Sequence, residues 1–376
     1  MKFSIERNSF LNGLSKIQSI TDKKGTLPVL TNVYLATKGK GKIELKATDL
    51  DIVFQTMYDA EIQEEGAVLV SSRHLCDIVR ELPEGKVSIL LDPDNRVIVS
   101  SRKSVFKLVT MPVTEFPKIE ENNKEDLLEF DLDSFKEMIT KTIYATSQEE
   151  TRYNLNGVYL EKMDDTSKNM LRMVATDGHR LALIEKEMNK AFDIKAKGGV
   201  ILPKKGLLEL KKLLDEGGDK IYFQLKKNQA VFAKDDTFLV MRVIDGKFPD
   251  YRRIIPQKTD RKFDLKREDL FNTLKRVSSI SSHTQDKIKC INFNFKRGAI
   301  ELSYRHPEIG ESKEEIQNVN GDVEMNLGFN SKFFLDVLTN IVDENVSIFL
   351  SDEVSPVLLQ FNDNEEYLNV IMPVRL

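Results

Sequence analysis

The chain writes one pattern three times, and a threefold internal repeat narrows the possible folds more than any single motif can. Phe3 and Ile5 alternate along a short stretch that runs into Phe10, Leu14 and Ile17; Phe130 and Leu132 run into Phe135, Ile139 and Ile143; Phe263 and Leu265 run into Leu270, Leu274 and Val277. Period two followed by period three to four reads as a strand feeding an amphipathic helix. The copies start 127 and 133 residues apart. A second helix signature recurs at nearly the same period, as VSSRHLCDIVREL from Val70, LPKKGLLELKKLL from Leu202 and FNSKFFLDVLTNI from Phe329. In each, polar residues suited to capping precede apolar positions three or four apart, such as Leu75, Ile78, Val79 and Leu82, which gives one buried face. Strand-type alternation follows: KVSIL from Lys86, KIYFQL from Lys220 and NVSIFL from Asn345. The first two copies also share a strand and turn, LTNVYL with an ATD ending at Asp49, and LNGVYL with an ATD ending at Asp177.

Each copy thus holds two helices and several short strands in roughly 125 residues, within the usual domain range. A helix apolar on one face has to lie on a sheet, so the expected fold is α+β, in three domains of residues 1–124, 125–255 and 256–376. Charged, aperiodic connectors around Asn123 and Gln257 stand where the second and third copies begin. With 40% hydrophobic and 31% charged residues, the chain can bury sizeable cores. No run approaches the roughly 18 to 20 apolar residues of a membrane helix, and Glu6, Arg7 and Asn8 interrupt the place of a signal peptide's apolar stretch. A cytoplasmic chain with no membrane partner is expected. Cys76 and Cys290 are too few for a disulfide framework or a zinc site, and His74, His179, His283 and His306 are a thin supply for histidine catalysis. Neither a metal nor a cofactor is expected.

The formal charge of −4 argues against a protein that coats nucleic acid through bulk positive charge. The distribution is uneven. The six helical segments carry +2 (7–17), 0 (72–82), +1 (134–143), +3 (204–214), 0 (268–277) and 0 (331–341), a total of +6 against −10 elsewhere. Such faces, turned away from their sheets, would attract phosphates without reading bases; the alternative is that they are ordinary solvated helix surfaces.

MKFSIER, LPVLTN, ATDLD, RYNLNG, ATDGHRLAL, FPDYRR and the terminal VIMPVRL occur in that order. On these motifs the chain resembles, over its whole length, the bacterial DNA polymerase III beta subunit family, the replicative sliding clamps. The resemblance implies a head-to-tail homodimer with six clamp-type domains in a ring, twelve helices lining the hole and antiparallel sheets forming the rim. It implies sequence-independent binding of duplex DNA and no catalysis. The implied partners are the DNA polymerase III alpha subunit, the clamp loader and other replication or repair proteins with a clamp-binding motif. Sliding requires neighbouring positions on the duplex to be nearly equal in free energy, which suits loose phosphate contacts, often through water.

The resemblance also assigns residues. A hydrophobic peptide cleft between the second and third domains is expected from Leu155, Thr176, Gly178, His179, Arg180, Leu181, Pro249, Arg253 and Ile254, completed by Val354, Pro356, Val370, Met372, Pro373, Val374, Arg375 and Leu376. Aliphatic and methionine side chains would give an adaptable surface for a Leu or Phe anchor, with Arg and His for the peptide's polar groups. Pro356 stands where the family commonly has serine, which removes a hydroxyl and a backbone donor, and Val374 replaces a frequent methionine. Read without the resemblance, Leu155, Ile254 and Val370 are ordinary core and Arg180 is as much a structural ion-pair residue as a ligand contact. For DNA the expected contacts are Lys24, Arg73, Arg152, Tyr153, Lys204 and Lys205, with Asn154 and Glu149 weakening the 152–153 loop. Phe106, Leu108 and Ile280 match the family's subunit seam, or else are intradomain core.

A hydrolase built on Asp177, His179 and Arg180 is the competing class, but ATD recurs at Asp49 without a histidine, which suggests a repeated structural turn. No GxxxxGK[ST] occurs, so any ATP-driven opening must come from another protein. A silent scaffold without DNA is the third possibility.

Overall fold

The computed structural model describes residues 1–21, 27–39, 41–163, 169–188, 199–256, 261–280, 290–362 and 364–374, with Glu150 described through its backbone. Six α-helices form where the repeat places them: α1 Arg7–Gln18, α2 Ser72–Glu81, α3 Leu132–Thr140, α4 Lys204–Leu214, α5 Arg267–Val277 and α6 Ser331–Thr339. The periodic apolar residues are the buried ones. Phe10, Leu14, Ile17, Leu270, Leu274 and Val277 are all inaccessible to solvent, each stabilising the fold by about 2 kcal/mol. In α1 the stripe is interrupted by Gly13, where a Cβ would stand 2.6 Å from the Tyr58 ring; the missing side chain lets the helix settle onto its sheet.

Helix ends follow the repeat too. The first amide of α1, α3 and α5 donates to a carbonyl in the turn after the other helix of its repeat: Arg7 to Gly85 at 2.9 Å, Leu132 to Asp219 at 3.1 Å and Arg267 to Glu344 at 2.8 Å. These backbone partners in exposed turns replace the side-chain caps that Glu6 and Lys266 do not supply. Ser71 and Asn330 cap α2 and α6 directly. Two helices end earlier than periodicity suggests. Thr142 Oγ1 bonds back to Met138 O at 2.7 Å and the chain passes into a 3₁₀ turn at Ile143–Ala145; Asn340 Nδ2 takes the Asp336 carbonyl at 2.7 Å and closes α6.

Each leading strand, Lys2–Glu6, Leu128–Asp131 and Lys262–Lys266, pairs antiparallel with the strand after the second helix, Lys86–Leu91, Lys220–Lys226 and Asn345–Phe349. The sheets cross repeat boundaries. Ile52–Asp59 of the first repeat pairs with Thr237–Arg242 of the second, in the register Met241↔Ile52. Arg180–Glu187 of the second pairs with Asn364–Ile371 of the third, in the register Arg180↔Ile371. Two compact units result. Residues 1–132 with 208–243 are built on a 13-stranded antiparallel sheet, and residues 133–207 with 244–376 on one of eight strands and one of four. The middle repeat contributes strands to both. No described helix is long and apolar enough to cross a membrane.

Candidate functional site

The second junction, where Arg180–Glu187 meets Asn364–Ile371, gathers most of the expected cleft. It begins with a turn. Thr176 Oγ1 donates to Arg180 O at 2.6 Å and accepts the Gly178 amide at 3.1 Å, while Asp177 Oδ1 accepts the amides of His179 and Arg180 at 2.9 and 3.1 Å. The turn needs a left-handed residue at its third position, and Gly178 takes φ +89° there.

Leu155, Leu181 and Val370 then fall into one buried cluster with Val174, Leu183, Ile201, Phe248, Tyr251, Phe349 and Leu358. Leu181 and Val370 are cross-strand neighbours, which is how residues 189 positions apart come to share a surface. After the strand, Met372 donates its amide to His179 O at 2.9 Å and Val374 to Gly328 O at 2.8 Å, and Met372, Pro373 and Val374 are half-buried. Val354 stands 70% exposed on a loop before half-buried Pro356. That loop is fixed by Asp352, whose carboxyl accepts the amides of Val354 and Ser355 and the Ser355 hydroxyl; these bonds hold it below the usual carboxylate range. Pro249, Arg253 and Ile254 are exposed around the 3₁₀ turn Tyr251–Ile254, and Arg253 pairs with Asp250 at 2.8 Å.

Arg180 is buried in a network. Its guanidinium donates to Asp177 Oδ2 at 3.0 Å, Asp336 Oδ2 at 2.7 Å and Tyr144 O at 2.6 Å, and lies 4.7 Å from the Phe333 ring. It is 7% exposed. These are the structural ion pairs that one of the two readings of Arg180 expects. Tyr144, half-buried beside it, donates to Asn369 Oδ1 and meets the Tyr367 hydroxyl; desolvation of its hydroxyl pushes it well above the ordinary tyrosine value, with Tyr367 adding to the effect. Phe333, absent from the residues expected from sequence, stacks against His179 at 6.4 Å. Its signal was there, since it is the one aromatic in α6 outside the buried stripe, but periodicity alone reads it as a second core position.

Asp177 engages both carboxylate oxygens within the turn, Oδ1 with two amides and Oδ2 with the Arg180 guanidinium.

The expected DNA contacts are less uniform. Arg73 extends into solvent, 85% exposed and 3.9 Å from Asp77. Arg152 is drawn to Glu149 at 3.2 Å and to Asp177 O at 3.2 Å, while Tyr153 is exposed beside it. Lys205 is exposed; Lys204 is half-buried, and burial, with Arg180 and Lys332 nearby, lowers its ammonium's pKa. Other helix lysines are partly neutralised: Lys16 by Glu216 at 2.8 Å, Lys212 by Glu209 at 2.9 Å and Lys211 by Asp215 at 3.3 Å. A count that stops at residue 214 misses two of these three acids, so the +3 assigned to α4 overstates its field. Lys24, Arg375 and Leu376 lie outside the described residues.

At the expected seam, Phe106 is exposed and Leu108 half-buried on Ser104–Met111, together with exposed Val105 and Val109; Ile280 is half-buried. Phe106 is 40% exposed and shares one side of the strand with Leu108, while Val105, Lys107 and Val109 share the other.

Comparison with known proteins completes the description. Residues 1–120, 129–250 and 252–375 match, in order, the N-terminal, central and C-terminal domains of the DNA polymerase III beta subunit. The beta sliding clamps of Caulobacter vibrioides and Escherichia coli are 32% and 31% identical, each over 100% of both chains. Among solved structures, the Caulobacter crescentus beta sliding clamp, described with polyethylene glycol bound to its putative beta-motif tethering region, superposes with a TM-score of 0.93 at 32% identity over 100% of both chains. The DNA polymerase III beta subunit of Thermotoga maritima gives 0.88 at 30% identity, over 100% of this chain and 99% of that one.

Proposed function

We infer that this chain, which belongs to the DNA polymerase III beta subunit family, works as a homodimeric ring that encloses duplex DNA and holds partner proteins by short peptides seated in the cleft at the second junction. It is a DNA sliding clamp and not an enzyme.

One observation carries the ring. Two strand junctions of the same kind lie inside the chain, and the matching third pair of edges is left open. Among the described residues, Ser104–Met111 has no neighbouring strand on its outer side from Ser104 to Val109, and Gly310–Gln317 pairs only with Ala299–His306. These strands occupy in the first and third repeats the places that Thr237–Arg242 and Arg180–Glu187 occupy at the internal junctions. Open edges invite pairing. The first edge carries Val105, Phe106 and Val109 with Arg102, Lys103 and Lys107; the other carries Glu311, Glu314 and Glu315 against Lys313, with Glu314 paired to Arg276 at 2.6 Å and Glu315 to Lys296 at 3.5 Å, which leaves a smaller acidic excess. Opposite charge favours joining the first edge of one copy to the last edge of another, and a head-to-tail contact that closes after two copies gives six repeats in a ring. In this arrangement the domains are 1–124, 125–255 and 256–376, and Phe106, Leu108 and Ile280 lie at the seam.

The cleft would receive a Leu or Phe anchor on Leu155, Leu181 and Val370, with Met372 adapting to its shape. The polymerase III alpha subunit, the clamp loader and repair proteins are its proposed clients, in the cytoplasm. Arg73, Lys204, Lys205, Arg152 and Tyr153, with Lys24, would touch phosphates only loosely, because retention comes from topology.

Sedimentation and retention on nicked circular DNA test this. The protein should sediment as a dimer, stay on the circle and leave once the circle is linearised, and Phe106→Asp should be monomeric and retained on neither. A Phe106→Asp protein that remains a dimer, or a wild type equally retained on linear DNA, would refute the ring.

A further inference from the structure

We propose that the first junction carries a second peptide-recognition site, which takes a short extended segment with a small aliphatic residue beside an acidic one. This rests on the cleft of the second junction being a peptide site, because the two are built alike. The turn at Asp49 repeats the turn at Asp177 bond for bond. Thr48 Oγ1 donates to Ile52 O at 2.8 Å and accepts the Leu50 amide at 2.9 Å, and Asp49 Oδ1 accepts the amides of Asp51 and Ile52 at 3.1 and 2.6 Å. Both turns feed a strand that crosses into the next repeat with equivalent register, Met241↔Ile52 and Ile371↔Arg180. Behind the first lies a small apolar cluster containing Val240, with half-buried Val53 packed against it, where the cleft has Val370 and Leu181.

Over that cluster opens a depression of about 210 Å³, lined by Leu50, Asp51, Val53, Asn228, Val240 and Arg242. Drug-sized and cofactor sites run from about 300 to 1,000 Å³, so this one suits one or two side chains. The floor keeps the cleft's character in a smaller form, with valines at both positions. The rim does not. Asp51 stands where the cleft has His179 and Arg242 where it has Met372, and Asn228 precedes its strand as Pro356 does. Arg242 is exposed and forms no ion pair among the described residues, and exposed Lys227 adjoins Asn228. Asp49 engages its carboxyl in the turn, so the lining sets Arg242 against Asp51, and Lys227, next to lining Asn228 in the chain, tips the surroundings toward a carboxylate. The amides of Asn228 and Gln229 are suited to a peptide main chain.

Leu50 is the second sign. Its counterpart is Gly178, yet Leu50 holds φ +78° with its side chain 55% exposed. The turn requires the left-handed conformation at its third position, which strains a leucine by roughly 1–2 kcal/mol where glycine would be free of it; over the depression the exposed side chain forms one wall for an aliphatic side chain.

Two fluorescein-labelled peptides and the full-length protein decide the matter by anisotropy: Gly-Val-Asp-Gly for this site and Gly-Leu-Phe-Gly for the cleft. The acidic peptide should lose about tenfold in affinity on Arg242→Glu, several-fold on Leu50→Gly, and nothing on Met372→Ala. The Leu-Phe peptide should respond only to Met372→Ala. Leu50→Gly places glycine at a positive φ, so misfolding does not confuse the result. Acidic-peptide binding that is absent, or unmoved by Arg242→Glu and Leu50→Gly, or competed away by the Leu-Phe peptide, overturns the second site. Leu-Phe binding unmoved by Met372→Ala overturns the cleft reading instead.

Discussion

Replacing Arg180 by methionine tests whether its network positions the cleft. Arg180 makes three charge-assisted hydrogen bonds, to Asp177, Asp336 and the Tyr144 carbonyl, each worth about 1.5–3 kcal/mol net. The loss should be smaller than their sum. Asp336 keeps Lys332 at 2.6 Å, Asp177 keeps the two turn amides, and a methionine can pack against the Phe333 and Tyr144 rings that now flank the guanidinium. What remains is one partly buried carbonyl without its donor and two half-buried carboxylates with less compensation, about 3 kcal/mol in all. A chain with two compact units need not unfold in one step, so the assay is local: hydrogen exchange of the amides of residues 176–184, in a double-mutant cycle with Asp336→Asn. Coupling of about 2 kcal/mol between the two substitutions is expected, with roughly tenfold weaker binding of a Leu-Phe peptide. Coupling below about 0.5 kcal/mol, within the error of additive sites, would refute the assigned role.

Other consequences follow from the same geometry. Burial pushes Tyr367 up to about 12 from an ordinary value near 10, so the stability it gives is complete below about pH 10 and lost as pH rises toward 12; alkaline unfolding should set in later in Tyr367→Phe. Lys204 is charged at a disadvantage in the folded chain, so Lys204→Met should leave the melting temperature unchanged or raised while shortening retention on DNA; a lowered melting temperature would show that its surroundings stabilise the ammonium. For salt dependence, Arg73→Gln should reduce the slope of log affinity against log salt by about 0.9, the full contribution of one phosphate contact, and Lys212→Gln by clearly less because Glu209 already neutralises that lysine.

The repeat, the six helices and the buried stripe were legible because periodicity and sheet packing act locally. The turn at Asp177 was legible because its twin at Asp49 lacks the histidine that catalysis would need. What could not be read was the company each side chain keeps. Arg180 sits beside Asp336 only because the strand at 180–187 pairs with that at 364–371, and Phe333 reaches His179 from a helix about 150 residues away. The charge of α4 was misjudged for a similar reason, since Asp215 and Glu216 stand just past the last periodic residue yet bond back onto Lys211 and Lys16.

Because hydrogen-bonded ladders run unbroken from one repeat into the next, a single copy cut out of the chain would not be a smaller version of the whole. Excising the middle copy would bare Arg180–Glu187 and Thr237–Arg242 at once, two strand margins with the apolar runs Leu181–Ile184 and Phe238–Met241. Such a fragment should clump or swap partners, so dissection of this molecule has to keep neighbours together.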